Sequence, residues 1–209
     1  MNLTTTALLD LSHTLAGDDL ARFQYPWEAP DSVKTLILTL GPRRSMGSIP
    51  PASGSTKPPP PPPRRSWARP ASSAGVRHCA FIRDSALVGG GCVVGNSVEL
   101  KSVILFSGVQ TPHYSYVGDP ILGFKNHMGA GSITSSVKSG KTLVTVRNGE
   151  ERLETGWKKF GAILGDHVEA DCNSVLNPGP ILGRNASVYP LSSVRGAVPP
   201  DSIFKEALI

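Results

Sequence analysis

The chain has 209 residues, 39% of them hydrophobic, with a formal net charge of +5 and three cysteines. That length and apolar share suit one compact domain with appendages and exclude wholesale disorder. No apolar run approaches the ~20 residues of a membrane span, and Cys79, Cys92 and Cys172, odd in number and without CxxC spacing, argue against a disulfide framework or a zinc knuckle.

The opening "MNLTTTALLDLSHTLAGDD" has no basic n-region and soon turns acidic, so it does not read as a signal peptide, and the expected location is the cytoplasm with no membrane partner. Residues 1–40 read as a small N-terminal appendage. In it "LLDLSHTLAG" and "SVKTLILTLG", two short apolar-periodic segments suited to short helices, flank the aromatic stretch "FQYPWEAP". Residues 41–75 are different in kind. Between Asp31 and Asp84 there is no acidic residue, while Arg43, Arg44, Lys57, Arg64, Arg65 and Arg69 surround the run Pro58–Pro63. Such a stretch buries too little apolar area to offset its ordering entropy and is expected to be a disordered, polyproline-like linker. Its composition also fits the product of two compensating frame shifts in GC-rich DNA. Because the excess charge belongs to this one segment, it does not argue for a nucleic-acid partner.

Residues 76–205 repeat on a count of six. Ile82, Val88, Val94, Leu100 and Phe106, then Leu122 and Met128, then Leu164, Leu176, Leu182, Val188 and Val194 mark the beat, often followed by glycine. A helix repeats at 3.6 and a half-buried strand at two, so this period indicates an all-β, left-handed parallel β-helix of hexapeptide repeats. Three hexapeptides make one triangular coil, which stacks residues 18 apart at the spacing of a parallel sheet, about 4.8 Å. Arg83 and Lys101 are so placed, and two stacked cations would be relieved by a phosphate. The count slips after Phe106, so "QTPHYSY" is expected to bulge and project His113. An insertion at about 135–160 carries "KTLVTVRNGEERLETG", in which Asn148-Gly149 predicts a hairpin that projects and covers the site.

The ordered motifs "VGNSVELK", "HYSYVGD" and "GAGSIT" resemble the hexapeptide-repeat acyltransferase family. The similarity is to the acetyltransferase domain of the bifunctional UDP-N-acetylglucosamine pyrophosphorylase/glucosamine-1-phosphate N-acetyltransferase and to its stand-alone pyrophosphorylase-related homologues, over about residues 77–205. The resemblance implies an acetyl-CoA-dependent N-acetyltransferase acting on an amino-sugar phosphate such as glucosamine-1-phosphate, assembled as a homotrimer with sites between subunits. His113 would be the base, and a neutral imidazole suits that task near physiological pH. Arg83 and Lys101 would clamp the phosphate, and Tyr116 would be a further contact. His127 stands where the family has an asparagine that meets the sugar amine. Ala130, Ser132 and Ser136 would line the acetyl-CoA groove. Uridylyl transfer is not expected, because only about 40 residues precede the linker. Two alternatives remain open: a non-catalytic hexapeptide scaffold or regulatory protein, and a γ-class carbonic anhydrase-like zinc enzyme suggested by His78, His127 and His167. The latter's closely spaced ligand pair is missing, since His113 and His127 are 14 apart.

Overall fold

The computed structural model describes residues 1–29, 34, 35, 37, 66–68 (backbone) and 74–205. From residue 66 onward the described backbone winds as a parallel β-helix with three faces. The first face runs through Phe81–Arg83, Glu99–Lys101, Tyr116–Gly118, Ile133–Thr134, Val175–Leu176 and Ser193–Val194. The second runs through Ser66–Ala68, Ser85–Val88, Val103–Leu105, Ile121–Leu122, Ile163–Leu164, Ile181–Leu182 and Ala197–Val198. The third is a 7-stranded parallel sheet from Gly75–Val76 to Ile203–Phe204. Side chains that alternate inward from all three faces form one core, in which Val88, Val94, Leu100, Leu105, Val117, Leu122, Met128 and Leu176 are inaccessible to solvent.

The corners turn through the left-handed backbone region, with positive φ at Cys79, Ser97 and Tyr114 between the third and first faces and at Gly91, Gly108 and Lys125 between the second and third. The beat also slips at a corner, though not where expected. Arg83 pairs with Lys101 and then Ala86 with Val103, a bulge that drops one residue beyond Lys101. The inward residue after Leu100 is therefore Leu105, and Thr111 and Val117 keep the count of six through "PHYSY". Phe106 is buried as well, but in a different core.

That second core lies outside the coil. The second face presents an outward ladder of Leu87, Ile104, Ile121, Ile163, Ile181 and Ala197, one per coil in register. Leu3, Leu8, Leu9, Leu20 and Trp27 of the N-terminal segment cover it, Leu8 on the short helix Thr5–Leu8 and Leu20 on Gly17–Leu20. The aliphatic residues of this face are thus buried from within the chain. The insertion contributes the antiparallel hairpin Thr145–Asn148/Glu151–Glu154. It lies back on the same face, with Val144 and Val146 fully buried, Asn148 hydrogen-bonded to Met1 and the Trp157 indole N–H donating to the Trp27 carbonyl. Packing of this apolar side draws the hairpin here rather than outward. Strand Ser66–Ala68 falls inside the stretch expected to be linker; residues 41–65 and 69–73, and most of "SVKTLILTLG", lie outside the described residues.

Cys92 is buried, its thiol pushed up to about 11 by burial and donating to the Phe106 carbonyl at 3.0 Å, while Cys79 and Cys172 are exposed. Because the thiolate is the reactive form, a maleimide should label the native protein at Cys79 and Cys172 and reach Cys92 only after denaturation. Mass spectrometry of the labelled peptides checks this, and rapid native labelling of Cys92 would contradict the packing.

Candidate active site

Arg83 and Lys101 are in register on neighbouring rungs of the first face, and the next rung brings Gly118 over Lys101. They are not bare cations. Arg83 Nε meets Glu99 Oε1 at 2.6 Å and its Nη1 reaches Asp84 at 3.5 Å, while Lys101 Nζ contacts both oxygens of Asp119 at 2.9 and 3.0 Å. The Glu99 hydrogen bond raises the guanidinium pKa further. Mutual repulsion therefore gives no argument for a phosphate here. Three carboxylates, two of them at the positive-φ residues Asp84 and Asp119, already balance the two charges. Tyr116 stands beside them, in register with Glu99. Its ring lies across Gly118, where a Cβ would come 2.6 Å from Tyr116 Cε1, so only glycine admits that pose.

His113 ends the third-face strand Gln110–His113 and is exposed at the corner that leads to the first face. Its position follows from the coil and needs no bulge. Its carbonyl accepts from Gly131 N–H and the Ser115 hydroxyl, and its imidazole makes no hydrogen bond or ion pair among the described residues. Asn96, in register one rung below, donates from Nδ2 to His78 Nε2 at 2.8 Å.

His127 is on the third face, in register with Gln110 on one side and Glu169 on the other. Its Nδ1 lies 2.9 Å from Glu169 Oε2. The pair lines a groove of about 570 Å³ with Gln110, Lys125, Asn126 and His167, floored by Gly91 and Gly108. Sequence reading missed Glu169, which is 42 residues from His127 because the insertion separates the two rungs. Of the histidines weighed as zinc ligands, His127 and His167 share this groove and His78 sits at another corner. Among the described residues no three His, Cys, Asp or Glu side chains gather as a metal ion would require.

Of the residues expected at the acetyl-CoA groove, Ala130 is half-buried at the same corner as His113. The Ser132 hydroxyl is fully buried and donates to the Gly129 carbonyl at 2.7 Å, and Ser136 is buried beside the root of the hairpin, its carbonyl accepting from Phe160 N–H. Their side chains face inward, so these two could meet a ligand only through backbone. Within one chain the candidates thus form two groups, Arg83, Lys101 and Tyr116 on the first face and His127 on the third, with His113 at the corner between.

Curated proteins are similar to this chain over part of their length. The bifunctional sugar-1-phosphate nucleotidylyltransferase/acetyltransferase of Sulfurisphaera tokodaii is 33% identical over 112 residues, 54% of this chain and 28% of that one. The bifunctional protein GlmU of Methanococcus aeolicus is 32% identical over 132 residues, 62% of this chain and 32% of the relative. The chain is a hexapeptide-repeat β-helix protein related to these bifunctional proteins. A GlmU from a Synechococcus strain is 29% identical over 136 residues, 65% of this β-helix chain and 26% of the relative. The β-helix protein therefore spans about a quarter to a third of the length of the curated relatives it matches. No family model matches it. The solved N-acyltransferase AntD of Bacillus cereus, a variant in complex with dTDP and coenzyme A, aligns at TM-score 0.25 and 16% identity over 62% of this chain and 71% of that one, too loosely to bear on function.

Proposed function

We propose that the chain is an acetyl-CoA-dependent N-acyltransferase whose acceptor is an amino-sugar phosphate of the glucosamine-1-phosphate kind. The observation that carries the reading is the position of His113, an exposed imidazole without a hydrogen-bond or ion-pair partner among the described residues, at the corner it shares with Ala130 between the Arg83–Lys101–Tyr116 cluster and the face that holds His127. Its relatives include a protein named as a bifunctional sugar-1-phosphate nucleotidylyltransferase/acetyltransferase. In the reaction His113 takes the proton from the nitrogen once it has attacked the thioester carbonyl, and Tyr116 holds the phosphate with Arg83 and Lys101 once the carboxylate partners of those two yield. The N–H groups of Gly129 and Gly131 are committed to Ala170 and His113 carbonyls, which leaves Ala130 N–H as that turn's oxyanion donor. Coenzyme A would lie along this corner, against Ala130 and the backbone of Ser132. Two faces share the candidate residues, which supports a homotrimer in which one copy's first face meets the next copy's third. The working compartment is the cytoplasm; no described helix is long and apolar enough to cross a membrane.

Thiol release from acetyl-CoA, followed with a panel of amino sugars and their phosphates, tests this. Release should require both the amine and the phosphate. Lys101→Ala should raise the acceptor KM by about 10- to 100-fold, the worth of a charge-assisted hydrogen bond. The carboxylate pairing favours one rival, a non-catalytic scaffold. On that reading no acceptor releases thiol, and Lys101→Ala changes thermal stability only.

A further inference from the structure

Acetylating a protonated amine on a sugar removes two protons from one nitrogen. The balanced step is R–NH3⁺ + CH3CO–SCoA → R–NH–COCH3 + HSCoA + H⁺, in which an N–C bond forms and a C–S bond breaks. One proton must leave before attack, because an ammonium has no lone pair. The second leaves after the N–C bond forms and ends on the departing thiolate. His113 can serve only one of these transfers at a time.

We propose that His127, oriented by Glu169, is the second proton acceptor. It takes the ammonium proton from the bound amino sugar before attack and releases it to water in the groove. The inference rests on the acyl-transfer reading above. An ionised carboxylate only accepts hydrogen bonds, so the 2.9 Å contact between Glu169 Oε2 and His127 Nδ1 places the ring hydrogen on Nδ1. A neutral ring then keeps the Nε2 lone pair for the ligand. A carboxylate behind an imidazole in this way fixes both its tautomer and its orientation. His113 has no such partner, which divides the labour: a held acceptor for the first proton and a mobile one for the transfer to sulfur.

The placement fits. His127 pairs with Gln110, and His113 lies three residues further along the same strand, so the two histidines are one rung and about 10 Å of strand apart. The groove lining includes His127 but not His113, so the acceptor would span from the groove to the corner that His113 occupies. The groove gives the proton a polar exit past Gln110, Lys125 and His167. Where the resemblance places an asparagine, which cannot take a proton, this chain combines His127 with a carboxylate on the next rung. Glu169 is a positioning residue and His127 a catalytic one.

The test pairs ring ¹⁵N spectroscopy of His127 with chemical rescue. Wild type should show the Nδ1–H tautomer, and Glu169→Ala should move the ring toward Nε2–H and lower kcat about 10-fold with the acetyl-CoA KM unchanged. His127→Ala should lower kcat about 100-fold, and added imidazole, entering through the open groove, should restore a measurable part of it. A wild-type Nε2–H tautomer overturns the proposal whatever the activity. His127→Ala turnover at the wild-type rate, or a loss that imidazole does not restore, overturns it while leaving the acyl-transfer reading standing. Absence of thiol release from the wild type with every amino-sugar phosphate overturns both.

Discussion

Replacing His113 by alanine should lower kcat by about 10²- to 10⁴-fold, the contribution of a positioned general base, with little change in melting temperature. The imidazole is exposed and makes no hydrogen bond or ion pair among the described residues, and the carbonyl that accepts from Gly131 N–H and Ser115 survives the substitution. The readout is the contrast between steady-state thiol release and calorimetry. A fall in melting temperature matching the loss of activity would mean that His113 serves the corner rather than the chemistry.

A second large effect is expected at Asp166, next in sequence to the groove-lining His167. Asp166 is 4% exposed and accepts from Asp10 N–H at 2.7 Å and Phe124 N–H at 2.8 Å, with Arg184 at 3.3 Å. Arg184 in turn donates to the Leu8 and Thr6 carbonyls, and Asp166 N–H to Leu8. The carboxylate is the staple between the N-terminal segment and the coil. Asp166→Ala leaves two part-buried N–H donors without their acceptor and removes the carboxylate beside the half-exposed Arg184, costing on the order of 2 kcal/mol, or roughly 4–8 °C in Tm for a chain of this size. Hydrogen exchange should rise across residues 1–29 first. An unchanged Tm, with those amides still protected, would show that the apolar contacts alone hold the segment.

The fold could be read from the beat of small aliphatic residues because inward packing imposes it on every coil. Its phase could not be read throughout. Leu105 and Phe106 are adjacent and both apolar, and only the bulge beyond Arg83 and Lys101 decides which one faces inward. Asn148-Gly149 marked its turn, but where the hairpin lies depends on Val144 and Val146 meeting an outer apolar ladder whose members are spread from Leu87 to Ala197. At the candidate site, the stacking of Arg83 on Lys101 was visible as a spacing of 18. The carboxylates that neutralise them were not, because Asp119 reaches Lys101 only through a corner in the left-handed region. Glu169 and Asp166 were hidden for a simpler reason: the insertion displaces each from its partner by 42 residues.

The covered outer face also sets an order of events during synthesis. Leu3, Leu8, Leu9 and Leu20 leave the ribosome early, yet the surface they settle on is complete only when Ile163 and Ile181 have been added and wound. At about 5–20 residues per second, translation of the intervening chain takes roughly 10–30 s. For that interval the segment has its leucines without their binding surface, and the growing coil has its aliphatic ladder without a cover. The stage most exposed to aggregation or chaperone capture is thus the nascent chain just before the Ile181 rung closes, and the last folding step is the docking of the segment that carries Leu3 to Leu20.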